Sequence, residues 1–287
     1  MDTDTDLDVV DEAVRGVPAP PLRGLVAWYS GYRQRGVPPA RHRGLPSPYL
    51  TLILTLDEPL RIAAQPDPAA APGEYTTVLG GLHTAPAIID IPGRQSGVQI
   101  ALGPLGARLL VGLPAGALAG ADLAAEDVMG PSVAEAHERL RAAVDWPGRF
   151  AVIDEWLLGR ARQAAAAGPP PEIRHAWRLL LDSGGGIGVA ALAAEVGWSD
   201  RRLRERFGAE VGLSPKAAAR VIRFDRARRG LAAHPVPAGR LSALAAEHGY
   251  FDQAHMDREF RALAGCPPTG WLAEERRNVQ AGHHPAG

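Results

Sequence analysis

Four arginines and a glutamate crowd into six positions: Arg201, Arg202, Arg204, Glu205 and Arg206. On a helix they occupy the face left over by Leu203, Phe207 and Val211, which recur four apart as an apolar stripe. Guanidinium groups gathered on one face are suited to hydrogen-bonding and neutralising a polyanion. A second stripe, Met256 and Phe260, is flanked by Gln253, Ala254, His255, Asp257 and Arg258. Catalytic or metal chemistry has no comparable support. His42, His83, Arg94 and Gln99 are the polar candidates for a ligand pocket in the first half. No His-x-His pair accompanies the two histidines, so structural hydrogen bonding is the plainer role for them. The single cysteine, Cys266, excludes an intrachain disulfide and a Cys-rich metal site. Neither metal nor cofactor is expected.

The two polar stripes belong to a repeat. Leu192-Ala193-Ala194-Glu195-Val196-Gly197 returns as Leu244-Ala245-Ala246-Glu247-His248-Gly249, 52 residues later. In the first copy a short helix over Val189–Val196 ends at Gly197, and Ser199 caps a second helix, Asp200–Val211. The second copy places helices over Leu241–Glu247 and about Gln253–Ala264. Tyr250 and Phe251 stand there in the place of Trp198 alone, so the offset becomes 53, with Gly212 matching Gly265 and Pro215 matching Pro268. A short helix, a glycine turn and a second helix with one apolar stripe is the helix-turn-helix plan, and paired units of this kind bind DNA. Leu203, Phe207, Met256, Phe260, Trp198 and Tyr250 are expected in the core. Between the copies, Lys216–Ala233 reads as one unbroken helix of roughly 27 Å that spaces the units, against about 34 Å for one DNA turn.

The stretch from Gly188 to Trp271 resembles the DNA-binding domain of the AraC/XylS family of bacterial transcription regulators. The first signature runs Val189-Ala190-x-Leu192-Ala193-x-x-Val196-Gly197-Trp198-Ser199, then Arg201-x-Leu203-x-x-x-Phe207, then Gly212-x-Ser214-Pro215-Lys216. The second runs Leu244-Ala245-x-x-x-Gly249-Tyr250-x-Asp252-Gln253-Ala254-His255-Met256-x-Arg258-x-Phe260, then Gly265-x-Pro267-Pro268. The resemblance implies that Arg201, Arg204 and Glu205, and Gln253, Ala254, His255, Asp257 and Arg258, read bases. Arginine suits guanine, glutamine suits adenine, and a carboxylate can accept from cytosine. Family members often carry arginine where Glu205 stands, and Glu205 could instead pair with Arg201 or Arg202 along the helix. Gln253 and His255 could instead merely cap or decorate the helix. Ser199, Arg202, Arg206, Arg220, Arg223 and Arg240 are assigned to the DNA backbone, the last four being equally suited to structural pairs.

Composition agrees with this division. Net charge is −1, yet residues 172–287 hold 17 Lys+Arg against 13 Asp+Glu, while residues 1–171 hold 14 against 19. A basic module thus follows an acidic one. Of 31 basic residues only Lys216 is lysine, an imbalance read as codon bias in a GC-rich bacterial genome. With no signal peptide and no apolar span, a cytoplasmic location without membrane contact is expected.

An α+β architecture follows. Residues 1–20 are expected as a disordered arm, 21–168 as a ligand-binding or dimerisation domain, and 172–280 as the double helix-turn-helix domain. Tyr49–Leu56, Thr76–Leu79, Ala87–Ile91 and Gly97–Leu102 read as strands of a small antiparallel barrel or sandwich, which the family resemblance implies to be cupin-like. Pro104 opens a helix through Leu110, Ser132-Val133-Ala134-Glu135 reads as a capping box before Ala136–Val144, and Phe150–Ala167 forms a further helix suited to dimer contact. Gly168-Pro169-Pro170-Pro171 breaks the chain between domains. The expected partners are double-stranded promoter DNA, an unknown small-molecule effector, RNA polymerase and a second copy of the chain. The alternatives are a cupin-like metal enzyme fused to a DNA-binding domain, and a helix-turn-helix module that binds protein.

Overall fold

The computed structural model describes residues 9–164, 168–233 and 240–275. The N-terminal half carries ten strands: β1 (Val10–Gly16), β2 (Val26–Arg35), β3 (Ala40–Gly44), β4 (Leu50–Thr55), β5 (Leu60–Ala64), β6 (Gly73–Tyr75), β7 (Thr77–Gly80), β8 (Ala87–Ile91), β9 (Arg94–Leu102) and β10 (Asp122–Ala124). They form two antiparallel sheets, one in the order β1-β2-β9-β4-β7-β10 and one in the order β3-β8-β5-β6. Four helices follow or interrupt them: α1 (Ala107–Leu110), α2 (Ala125–Met129), α3 (Ser132–Ala142) and α4 (Trp146–Gln163).

Side-chain alternation divides the larger sheet's two faces. Leu50, Leu52 and Leu54 of β4, with Val98, Ile100 and Leu102 of β9, join Ile153 and Leu157 of α4 in one core. Ile53 and Val78 point the other way and pack with Leu60, Ile62, Ala87 and Ile89 of the second sheet. Gln99 and Ala101 therefore face the space between the sheets, where a cavity opens.

Several expectations are corrected here. Val10–Gly16 is no loose arm: it is an edge strand paired along its length with β2. Glu12 accepts a hydrogen bond from Trp146 Nε1 at 2.8 Å, and Leu22 is fully buried in the 3-10 turn Pro20–Leu22. Residues 1–8 lie outside the described residues. Ser132 does not cap its helix. Pro131 already has helical angles, α3 begins at Ser132, and the Ser132 hydroxyl accepts from Arg160 Nη1 at 2.8 Å instead. Helix α4 starts four residues before Phe150, because Asp145 caps it by accepting from Gly148 N–H and Pro147 favours its first turn. The expected end of that helix at Ala167 lies outside the described residues. The helix opened by Pro104 is a 3-10 turn, Pro104–Gly106, running into α1.

The C-terminal half is helical: α5 (Pro171–Asp182), α6 (Val189–Glu195), α7 (Asp200–Val211), α8 (Pro215–Ala233), α9 (Arg240–Glu247), α10 (Gln253–Ala264) and α11 (Pro268–Glu275). One core runs through all seven and takes in Leu82 of the N-terminal half. Two bidentate ion pairs add to this contact. Arg108 of α1 holds Glu210 of α7 at 2.8–2.9 Å, and Arg43 of β3 holds Glu274 of α11 at 2.7–3.3 Å. The turn Ala115–Leu118 lies on the end of α7 so closely that a Cβ on Gly116 would stand 2.2 Å from the Ala209 carbonyl oxygen. Only glycine permits that approach.

Candidate nucleic-acid interface

Helices α7 and α10 are built alike. Each has twelve residues, starts at a side-chain cap and stops at a glycine in the left-handed region. Ser199 accepts from the Arg202 N–H and Asp252 from the His255 N–H, while Gly212 and Gly265 end them at φ 91° and 72°. Gly197 and Gly249 turn the chain into them with φ 68° and 74°, angles that side-chain-bearing residues rarely adopt. Leu203, Phe207 and Val211 bury one face of α7, and Met256, Phe260 and Leu263 bury one face of α10. Both helices rest on α8, a bar of 19 residues or about 28 Å. The long connector thus begins at Pro215, one residue before its expected start.

The remaining faces carry the predicted residues. Arg201, Arg202, Arg204, Glu205 and Arg206 are all exposed on α7. Arg201 Nε donates to Glu205 Oε1 at 2.9 Å, as the four-residue spacing led one to expect. Such an exposed pair contributes only about 0.3–0.5 kcal/mol and yields readily to a stronger anion. The Arg202 guanidinium lies 4.7 Å from the Trp198 ring centroid, and Arg204 Nε donates to the Asp200 carbonyl at 3.2 Å. On α10, Ala254 and Arg258 are exposed, whereas Gln253, His255 and Asp257 are half-buried. His255 is partly committed to the turn: its Nδ1 accepts from the Phe251 N–H at 3.3 Å, and its ring meets Tyr250 edge-on.

Two residues assigned to the DNA backbone also make contacts within the domain. Arg220 of α8 grips both oxygens of Glu259 at 2.9–3.1 Å and so ties α10 to the bar. Arg223 sits 5.4 Å from the centroid of the buried Tyr250 ring. Arg240 is half-buried at the start of α9, and Ser199 is exposed at its cap. Sequence reading did not single out Asp225, which is buried in α8 between Arg228 and Arg229 and bonded to both. The spacing Asp-x-x-Arg-Arg was the available signal, since partners three and four apart meet on a helix.

The second feature is the cavity between the sheets, of about 110 Å³. His42, His83 and Gln99 line it; Arg94 does not, being paired at 3.7 Å with Asp57. Its polar wall also includes Arg43, Ser47, Tyr49, Thr51 and Asp122 and, across the domain boundary, Arg228 of α8 and Glu275 of α11. Burial pushes the Asp122 carboxyl up to about 6 and the Glu275 carboxyl up to about 7. Among the described residues no group of three or more His, Cys, Asp or Glu side chains could hold a metal ion. No described helix is long and apolar enough to cross a membrane.

Burial, reinforced by Arg228, lowers the His42 pKa to about 4. An unfolded histidine takes its proton near about 6.5, so between these values the unfolded state binds more protons and stability rises with pH. Asp122 and Glu275 act in the opposite sense, which a difference measurement removes. The stability of the parent relative to His42→Asn should therefore climb from about pH 4 to about 6.5 and level off above. Parallel denaturation curves for the two proteins across that window would contradict the assignment.

Residues 192–274 match a family described as a helix-turn-helix domain, and residues 15–124 match a domain of unknown function (DUF6597). No curated protein matches the chain. Among solved structures, apo ToxT from Vibrio cholerae strain SCE256 aligns at 8% identity with a TM-score of 0.51, over 86% of this chain and 97% of that one. A second crystal form of Vibrio cholerae ToxT aligns at 9% identity and TM-score 0.51, over 87% and 98%. The C-terminal domain of AraT, a response regulator from Geobacillus stearothermophilus, aligns at 21% identity and TM-score 0.33 over 36% of this chain and 85% of that one. The ToxT alignments show that the two-domain fold is shared over 86–87% of this chain. With matched caps, turns and buried stripes in both copies, residues 192–274 form a double helix-turn-helix of the AraC type, and by that domain the chain is a DNA-binding transcription regulator.

Proposed function

We propose that α7 and α10 read two consecutive major-groove faces of promoter DNA as one asymmetric module. The observation that carries this reading is the pair of equal-length capped helices on one bar, each turning a polar face outward. Arg201, Arg204 and Gln253 are the leading base readers, with Ala254, Asp257 and Arg258 beside them; Glu205 acts chiefly by holding Arg201. Arg202, Arg206, Arg223 and Arg240 serve the phosphates, and Arg220 serves the fold through Glu259.

The cavity between the sheets is the site for an effector. A small molecule there would meet His42 and Gln99 of one domain and Arg228 and Glu275 of the other. Its occupancy would shift DNA affinity if it favours one domain arrangement over another. Contact with RNA polymerase and pairing of two chains through α4 complete the reading, and neither catalysis nor a cofactor enters it.

Titrating salt against affinity for the promoter region beside its own gene, with and without competitor DNA, tests the reading. Four phosphate contacts predict a slope near about −3.6 in log–log form, or roughly a hundredfold loss between about 50 and 200 mM salt. Affinity indifferent to salt, or equal for the promoter and random duplex, would overturn it.

A further inference from the structure

Phe251 is the residue by which the second turn exceeds the first, and it is 93% exposed. It is the only aromatic side chain among the exposed large hydrophobic residues of the described chain. Its backbone is held firmly nonetheless. Tyr250 before it is buried, Asp252 after it caps α10, and its own N–H donates to His255 Nδ1. An apolar residue immediately before a helix cap commonly folds back onto the fourth residue of the helix. That residue is Met256, which is fully buried, and the Phe251 ring stays in water instead. The fold therefore fixes where this ring stands without using it.

The ring stands at the entrance of α10, two residues from Gln253 and three from Ala254. In a helix-turn-helix the first residues of the second helix meet the base edges. The chemical feature of the major groove that an uncharged apolar group recognises is the thymine methyl, since every other mark there is a hydrogen-bond donor or acceptor. Resting on the reading of α10 given above, we propose that Phe251 is a specificity-determining residue that packs against the C5-methyl group of a thymine in the α10 half of the site. The first unit has no counterpart. Trp198 runs directly into the Ser199 cap and is covered by Arg202, so methyl reading of this kind is confined to the second half.

Deoxyuridine has thymidine's hydrogen-bonding edge without the methyl group, and it supplies the test. A duplex selected by the full-length protein is resynthesised with each thymine of the α10 half replaced singly by deoxyuridine. One position should weaken binding about fourfold, the value of about 0.8 kcal/mol for one buried methyl or methylene group. Phe251→Ser should bind the thymine and deoxyuridine duplexes equally while melting as the parent does. If the parent ignores every replacement, or Phe251→Ser keeps the parent's discrimination, the proposal is wrong and Ala254 or no residue reads the methyl. If Phe251→Ser leaves DNA affinity untouched on every duplex, the ring serves a protein contact and the proposal again fails. Gln253→Ala is measured in parallel. Relaxed preference in that variant with no deoxyuridine effect sinks only the Phe251 assignment; no change in either sinks base reading by α10 altogether.

Discussion

Replacing Phe260 with alanine should destabilise the protein by about 3–5 kcal/mol. Its ring is fully buried, 4.8 Å from the Phe224 centroid on α8 in an edge-to-face arrangement and 6.3 Å from Trp271 on α11. Three helices meet on this one side chain, so truncation removes its own transfer free energy and opens a void that the bar cannot collapse to fill. The Arg220–Glu259 pair lies one residue away and would be left to locate α10 alone. The loss should be seen as a lower midpoint in chemical denaturation, and as a DNA footprint shortened on the α10 side. Phe207→Ala is the companion measurement, because Phe207 is equally buried but meets Trp177 at 6.1 Å in the first unit. A midpoint change worth less than about 1 kcal/mol for Phe260→Ala would contradict the packing described.

The second large effect is expected from Arg204→Ala combined with Gln253→Ala. A side chain that makes a good contact with a base contributes about 1–3 kcal/mol of discrimination. The two residues lie on different helices without shared partners, so their losses should add within about 0.5 kcal/mol. The double variant should thus lose about 2–6 kcal/mol of specific affinity, roughly 30-fold to roughly 20,000-fold, while binding random DNA as the parent does. Equilibrium binding to specific and random duplexes separates the two quantities. Equal losses on both would reassign these residues to the phosphate backbone. Arg201→Ala should cost less than Arg204→Ala, because its guanidinium must first leave Glu205.

The helices that carry this interface were legible because their signals are local. Ser199 and Gly212 bound α7, and Asp252 and Gly265 bound α10, at the residues read from the sequence. The Arg201–Glu205 pair follows from spacing alone. The N-terminal half was less legible for an equally physical reason. Val10–Gly16 is an edge strand without apolar alternation, and Ala40–Gly44 reads Ala-Arg-His-Arg-Gly; both are strands because β2 and β8 pair with them. The cap at Ser132 failed because Arg160, 28 residues away, takes that hydroxyl. The cavity illustrates the same limit. His42, His83 and Gln99 were within reach of composition, but Arg228 and Glu275 join them only through docking of the second domain. Arg94 was lost to Asp57 across a strand end.

If two unlike helices on one rigid bar read one asymmetric site, as proposed, both of their preferences appear in a single bound sequence. Selection of bound duplexes from a random pool by the full-length protein tests it most directly. The expected motif has two unlike blocks about one DNA turn apart, with guanine for the arginines of α7 in one block and a thymine in the α10 block. A motif whose two blocks within one chain's footprint are identical or palindromic, or a pool with no enriched motif, would contradict it.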